Sequence, residues 1–161
     1  MIINDSRNPS AAAWPRSLLI CALVAALAAC GKPPTAPEEE LRNWVANGVE
    51  AAEAKERRRL VSMISPAYAD SRGNDRNAVG NTLRAYFMRM NNVQLVTSIE
   101  EIRVIGDSAA EVVIKVGMAG THDGVLGFSA DAYRFAFELE RDGDDWLLIA
   151  ARWGELGKEL R

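Results

Sequence analysis

The chain has 161 residues, 19 basic and 22 acidic side chains, a single histidine and a formal net charge of −3. That length supports one sizeable hydrophobic core beyond a leader, and is too short for two. The charge balance argues against a nucleic-acid binder with a basic face, and two cysteines in the whole chain leave little room for disulfide or zinc chemistry.

The first element is an apolar run from Ser17 to Ala29, preceded by Arg7 and Arg16. Its length fits the ~7–15 residues of a signal h-region and falls short of the ~20 that a spanning helix needs. It closes on Leu27-Ala28-Ala29-Cys30, and a Pro-rich tract follows from Gly31. A small-residue pair before a cysteine at the end of such a run resembles a bacterial lipobox. The resemblance implies cleavage before Cys30, diacylglycerol on its thiol and acylation of the new amino terminus. Residues 1–29 are then a signal peptide, and residues 30–40 are a lipidated cysteine with a Pro/Glu-rich tether. Residues 41–161 form a single domain. Gly31 after the cysteine implies sorting to the outer membrane, with the domain on the periplasmic side. Cys21 leaves with the leader, so the domain has no disulfide. Loss of Arg7, Arg16 and Asp5 leaves 17 basic and 21 acidic residues and a net charge of −4.

Helical spacing begins at Leu41. Leu41, Trp44, Val45, Val49 and Ala52 define one apolar stripe, and Glu38, Glu39 and Glu40 sit where a helix dipole favours anions. A break or bend is expected near Arg57-Arg58-Arg59, and the stripe resumes at Leu60, Met63, Ile64 and Tyr68 until Pro66 interrupts it. Residues 69–77 are a polar connection in which Asn74 or Asp75 caps the next helix. That helix is expected to run to about Met90, with Val79, Leu83, Tyr86, Phe87 and Met90 on one side, and to end at Asn91-Asn92.

From Gln94 the period changes to two. Leu95, Thr97 and Ile99 share a face, and Glu100-Glu101 disturbs the alternation as a bulge would. Residues 109–118 alternate again, and a long glycine-rich connection is expected from Gly117 to Gly127. In residues 130–140, Tyr133, Phe135, Phe137 and Leu139 oppose Arg134, Glu138 and Glu140. Arg141-Asp142-Gly143-Asp144 is a hairpin turn, and Trp146 to Trp153 is the last strand. Three helical segments therefore precede four strands joined as a meander.

This order is α+β. Residues 64–76, where one helix ends and another starts, and residues 142–153, a hairpin into an aromatic-ended strand, make it more specific. Together they resemble the cone-shaped fold of the nuclear transport factor 2-like superfamily, which includes SnoaL-like cyclases and ketosteroid isomerase. The resemblance spans about residues 41–155 and carries no catalytic signature. It implies N-terminal helices packed in a curved antiparallel four-stranded sheet, with a pocket at the open end. Tyr86, Phe87, Met90, Tyr133, Phe135, Phe137 and Trp153 are its candidate lining, although each also serves as core. It also implies a homodimer through the convex sheet, and a partner-binding role predicts an exposed apolar patch.

Candidate chemistry is sparse. His122 stands beside Asp123 in a Gly-rich stretch, as a general base would need, or as an ordinary loop residue. Asp70 near Tyr68 and Tyr86 is the other candidate base, with helix capping as its structural reading. Arg152 either pairs across the outer face or grips an anion inside the cone, and strand parity decides which. No metal ligand set, phosphate loop or nucleophile elbow is present, and no cofactor is expected. The expectation is a membrane-tethered envelope lipoprotein that binds a small apolar ligand or a protein partner without catalysis. The alternative is a SnoaL-like isomerase, cyclase or hydratase acting on a small apolar carbonyl compound.

Overall fold

The computed structural model describes residues 36–122 and 128–160, with side chains for residues 36–118 and 132–160. Cys30 and the leader lie outside the described residues. Helix α1, Pro37–Glu53, starts inside the stretch expected as tether. Pro37 suits the first helical turn, whose N–H is unpaired anyway, and Glu38, Glu39 and Glu40 meet the positive dipole end. Its stripe buries Leu41, Val45 and Ala51. The helix stops at Ala54, and Lys55 adopts φ 56°, a left-handed geometry usually left to glycine. Lys55 Nζ donates to Met90 O and Asn91 O, each at 3.1 Å. Helix α2, Arg57–Ser62, follows at once.

Helix α3, Arg76–Arg89, starts at Asp75, whose carboxylate accepts from Ala78 N at 2.7 Å. It ends where expected, at Arg89, with the Met90 N–H donating to Tyr86 O to close the last turn. Asn91 and Asn92 do not end it in a loop as expected: Met90, buried at 5% exposure, is also the first residue of strand β1, Met90–Ile105, and both asparagines are strand residues. The chain passes from helix to strand with no intervening loop.

The sheet is an antiparallel meander in the order β1-β2-β3-β4, formed by Met90–Ile105, Ala109–His122, Phe128–Asp142 and Asp145–Glu155. The glycine-rich stretch remains strand through His122 and resumes at Phe128, so most of the expected connection is paired. Residues 123–127 lie outside the described residues. The register shifts between Ile99 and Glu101, where the sequence broke its alternation, and again opposite Glu138 and Leu139.

One sheet face packs on the helices. Leu41, Val45, Val112, Ile114, Val116, Leu139 and Trp146 form the main cluster, and Ile64, Tyr68, Leu148 and Ala151 form a second. Both clusters and all four strands lie within Thr35–Arg161, a compact unit with its own core, sufficient to fold alone. Glu40 joins α1 to the β3–β4 hairpin by accepting from Arg141 and from Trp146 Nε1, the latter at 3.0 Å. Between α2 and α3 the chain runs along the free side of β4. Leu148 N donates to Met63 O, Ser65 N to Leu148 O and Ala69 N to Ile149 O, at 2.9, 2.9 and 3.1 Å. Ile64 thereby forms a parallel bridge with Leu148.

Candidate functional site

Two adjoining cavities open between the helices and the inner sheet face. The inner one, about 310 Å³, lies under α1 and α2 against β1–β4. Gly48, Ala52 and Thr97 are small residues in a lining that otherwise holds bulky apolar side chains such as Val116 and Phe137. Among the described residues, Thr97 and Trp44 bring the only side-chain nitrogen and oxygen atoms to its lining, and none of its lining groups is ionisable. The Trp44 indole N–H is buried without an acceptor. The outer cavity, about 790 Å³, is lined by Tyr133, Trp153 and Gly154 together with Arg72, Lys158, Glu155 and Glu159. Met118 and Phe135 line both cavities and stand between them.

Alternation along β3 and β4 brings the aromatic candidates together. Phe135 stacks on Phe137 at 5.5 Å and on Trp153 at 6.5 Å, and meets Tyr133 at 6.3 Å. Trp44 closes the row by packing its edge on Phe137 at 5.7 Å. Arg72 lies over the Trp153 ring at 4.2 Å and donates to Trp153 O at 3.3 Å. The C-terminal segment completes the rim, because Leu156 N donates to Ala132 O and the backbone of Glu159 folds against Gly154. Tyr86, Phe87 and Met90 line neither cavity. Tyr86 and Phe87 pack on each other at 6.2 Å on α3, and Met90 is filler on β1.

Asp70 is buried, at 8% exposure, and lines neither cavity. Its Oδ1 accepts from Arg72 N at 2.9 Å and Asn74 N at 2.8 Å. Its Oδ2 accepts from Asn74 Nδ2 at 2.8 Å and the Tyr68 hydroxyl at 3.4 Å. Burial alone would raise its pKa; the bonds from Asn74, Arg72 and Tyr68 outweigh it and hold the carboxyl below the ordinary aspartate value. Proton abstraction needs the opposite shift and an unoccupied oxygen. Here the carboxylate clamps the 70–74 loop and so sets Arg72 on Trp153. Burial, then Asp70, pushes the Tyr68 hydroxyl upward.

Parity puts Arg152 outside the cone. It pairs across from Ala136, and its guanidinium reaches Glu111 at 3.2 Å and Glu138 at 3.7 Å on the outer face. The anion-gripping alternative inside the cone is therefore corrected. That face is laced with charge: Glu100 binds Lys115 and Arg134 at 2.6 Å each, and these two partners hold its pKa down. Val96 and Ile105 are exposed on the same face, at 79% and 54%, rather than forming one broad patch. His122 ends β2, and its side chain lies outside the described residues. Among the described residues no three His, Cys, Asp or Glu side chains gather as a metal site requires.

The rim residues Arg72, Lys158, Glu155 and Glu159 were not signalled by periodicity, since Arg72 sits in a loop, Glu155 ends β4 and the other two follow it in the terminal segment. The inner cavity did leave a trace: Gly48 and Ala52 fall one turn apart on the apolar side of α1.

No protein-family model matches the chain, and no curated protein matches it in sequence. Solved structures do match it. A candidate scytalone dehydratase from Novosphingobium aromaticivorans superposes with a TM-score of 0.66 at 10% identity, over 76% of this chain and 89% of that one. A candidate dehydratase of the nuclear transport factor 2-like family from Streptomyces avermitilis gives 0.63 at 14% identity, over 74% and 97%. A ketosteroid isomerase-like protein from Erwinia carotovora atroseptica gives 0.61 at 10%, over 74% and 96%. At such identities the likeness shows the fold: an α+β, nuclear transport factor 2-like cone with its helices packed against a curved four-stranded antiparallel sheet.

Proposed function

We propose that this cone-fold domain is held at the cell envelope by a lipid on Cys30 and binds a small apolar ligand without converting it. The observation that carries the reading is the inner cavity of about 310 Å³, lined by apolar side chains and closed toward the rim by Met118 and Phe135. Cavities of this size and lining suit a compact apolar molecule, oriented by a few polar groups at the mouth. Tyr133, Arg72 and Lys158 supply those groups here. The lipobox-like segment supports the tether, on the periplasmic face of the outer membrane.

The experiment fills the cavity. The neutral dye N-phenyl-1-naphthylamine brightens in apolar sites, and Ala52→Phe adds a ring from α1 into the void. Dye binding is expected to fall at least tenfold with cooperative unfolding retained. Equal binding by both proteins would show that the dye, and the ligand class it represents, sits elsewhere. Globomycin arrest of maturation and a diacylglyceryl mass on the Cys30 peptide test the tether.

A SnoaL-like isomerase, cyclase or hydratase is the second reading. The polar side chains of Tyr133, Glu155 and Lys158 at the rim of an apolar cavity favour it. Incubation with recovered ligand separates the two: a carrier returns the compound unchanged, and an enzyme returns a product.

A further inference from the structure

The joint between α1, α2 and α3 gathers cations around apolar side chains, well away from the cone. Lys55, Arg57 and Arg84 surround Phe87 and Met88 in a shallow depression of about 400 Å³. Among the described residues no acidic side chain lines it. Among the described residues none of the three cations pairs with a carboxylate. Lys55 and Arg57 spend donors on main-chain carbonyls, at Met90, Asn91 and Gly80, which neutralises no charge. The nearby Arg59 differs, being tied to Glu50 and Glu56. Met88 is 74% exposed, a high value for a large apolar side chain on a helix. A chain of net charge −4 after leader loss thus collects uncompensated positive charge at one apolar spot.

We infer that this depression is a second membrane contact, a site for the anionic headgroups of a bilayer, with Met88 and Phe87 reaching into the interface. Cations around an exposed apolar tip are the chemistry of interfacial binding. Each basic residue near an anionic leaflet adds attraction that fades within the ~8 Å Debye length. Chain length keeps the domain within reach: six residues lie between Cys30 and Pro37, and the seven steps from one to the other span about 25 Å at most when extended. The patch itself is a property of the folded unit, whereas the choice of a bilayer as its partner rests on the tether reading. A lipid on Cys30 with this second point of attachment would fix which way the cone mouth faces.

The test uses the Thr35–Arg161 unit, which carries no lipid and no apolar leader. It is floated with vesicles of phosphatidylcholine alone, or of phosphatidylcholine and phosphatidylglycerol in equal parts. Binding to the mixed vesicles only, weakened by added salt, is expected. Arg84→Gln removes a side chain that makes no hydrogen bond or ion pair among the described residues, and is expected to lower binding about fivefold. Met88→Ser is expected to lower it at low and high salt alike, while Arg103→Gln on the paired outer sheet face leaves it unchanged. Binding indifferent to lipid charge, or insensitive to both Arg84→Gln and Met88→Ser, overturns the inference. Two failures stay distinct: an unacylated Cys30 in a chain whose unit still floats removes the tether alone, and an acylated chain whose unit ignores anionic vesicles removes the patch alone.

Discussion

Replacing Asp70 by Asn separates a structural carboxylate from a catalytic one. The substitution keeps the shape and removes the charge and one acceptor. Oδ1 still serves Arg72 N and Asn74 N, but the new amide faces Asn74 Nδ2 and leaves that donor without an acceptor. Hydrogen bonds to a charged acceptor contribute about 1.5–3 kcal/mol, and an orphaned buried donor costs about 1–3. Asp70 is almost fully buried, so the net expectation is a loss of roughly 2 kcal/mol. For a unit of this size that lowers the melting temperature by roughly 5–10 °C. The pH dependence follows from sign. The folded carboxyl has a depressed pKa, so its contribution is present above the unfolded aspartate value and lost as pH falls through the folded one. The wild-type and Asn proteins should differ most near neutral pH and converge in acid. Urea unfolding of Thr35–Arg161 from neutral to acid pH measures this, and Trp153 fluorescence follows the release of Arg72 from the ring. Unchanged stability, together with loss of any conversion of a ligand, would refute the clamp and make Asp70 a base.

Two other outcomes follow from the packing. At Gly154 an added Cβ would sit 2.7 Å from the Glu159 carbonyl oxygen, a main-chain atom that must itself move. Gly154→Ala should therefore cost about 1–3 kcal/mol and expose the last residues to carboxypeptidase before the body of the protein unfolds. The indoles of Trp44 and Trp146 differ in partners: Trp146 Nε1 donates to Glu40, and that of Trp44 has none. Trp146→Phe should destabilise by about 1–2 kcal/mol more than Trp44→Phe in chemical unfolding, because only the first gives up a hydrogen bond to a carboxylate.

Strand parity was largely legible in the sequence. Alternation put Leu95, Thr97 and Ile99 inside, set Tyr133, Phe135 and Phe137 on one face, and located the bulge at Glu100-Glu101. Period-two patterns survive because a slip of one residue would turn the whole apolar set to water. The helix ends were less legible. Lys55 holds a left-handed geometry with no glycine to announce it, and α3 passes into β1 at Met90 with no turn residue. Both depend on a tertiary bond, from Lys55 Nζ to the first carbonyls of β1, that no local pattern encodes. Tyr133, Phe135, Phe137 and Trp153 were readable as candidate lining or as core, and the alternation put the first three on one face without deciding between the two roles. Their separation from Tyr86, Phe87 and Met90 was not readable, because helix periodicity gives a face without saying what that face meets. Asp70 was visible as a candidate, yet its burden of four donors depends on how the loop closes on itself.

The segment from Met63 to Ala69 lends its main chain to β4 at Leu148 and Ile149. An uncovered margin of this kind is a template on which copies of a chain can stack into fibrils. Here the margin is already occupied from within, by a stretch whose Pro66 cannot hand the ladder onward. A crowded population of these molecules is thereby spared one route to aggregation, and the short link between two helices doubles as a guard rail.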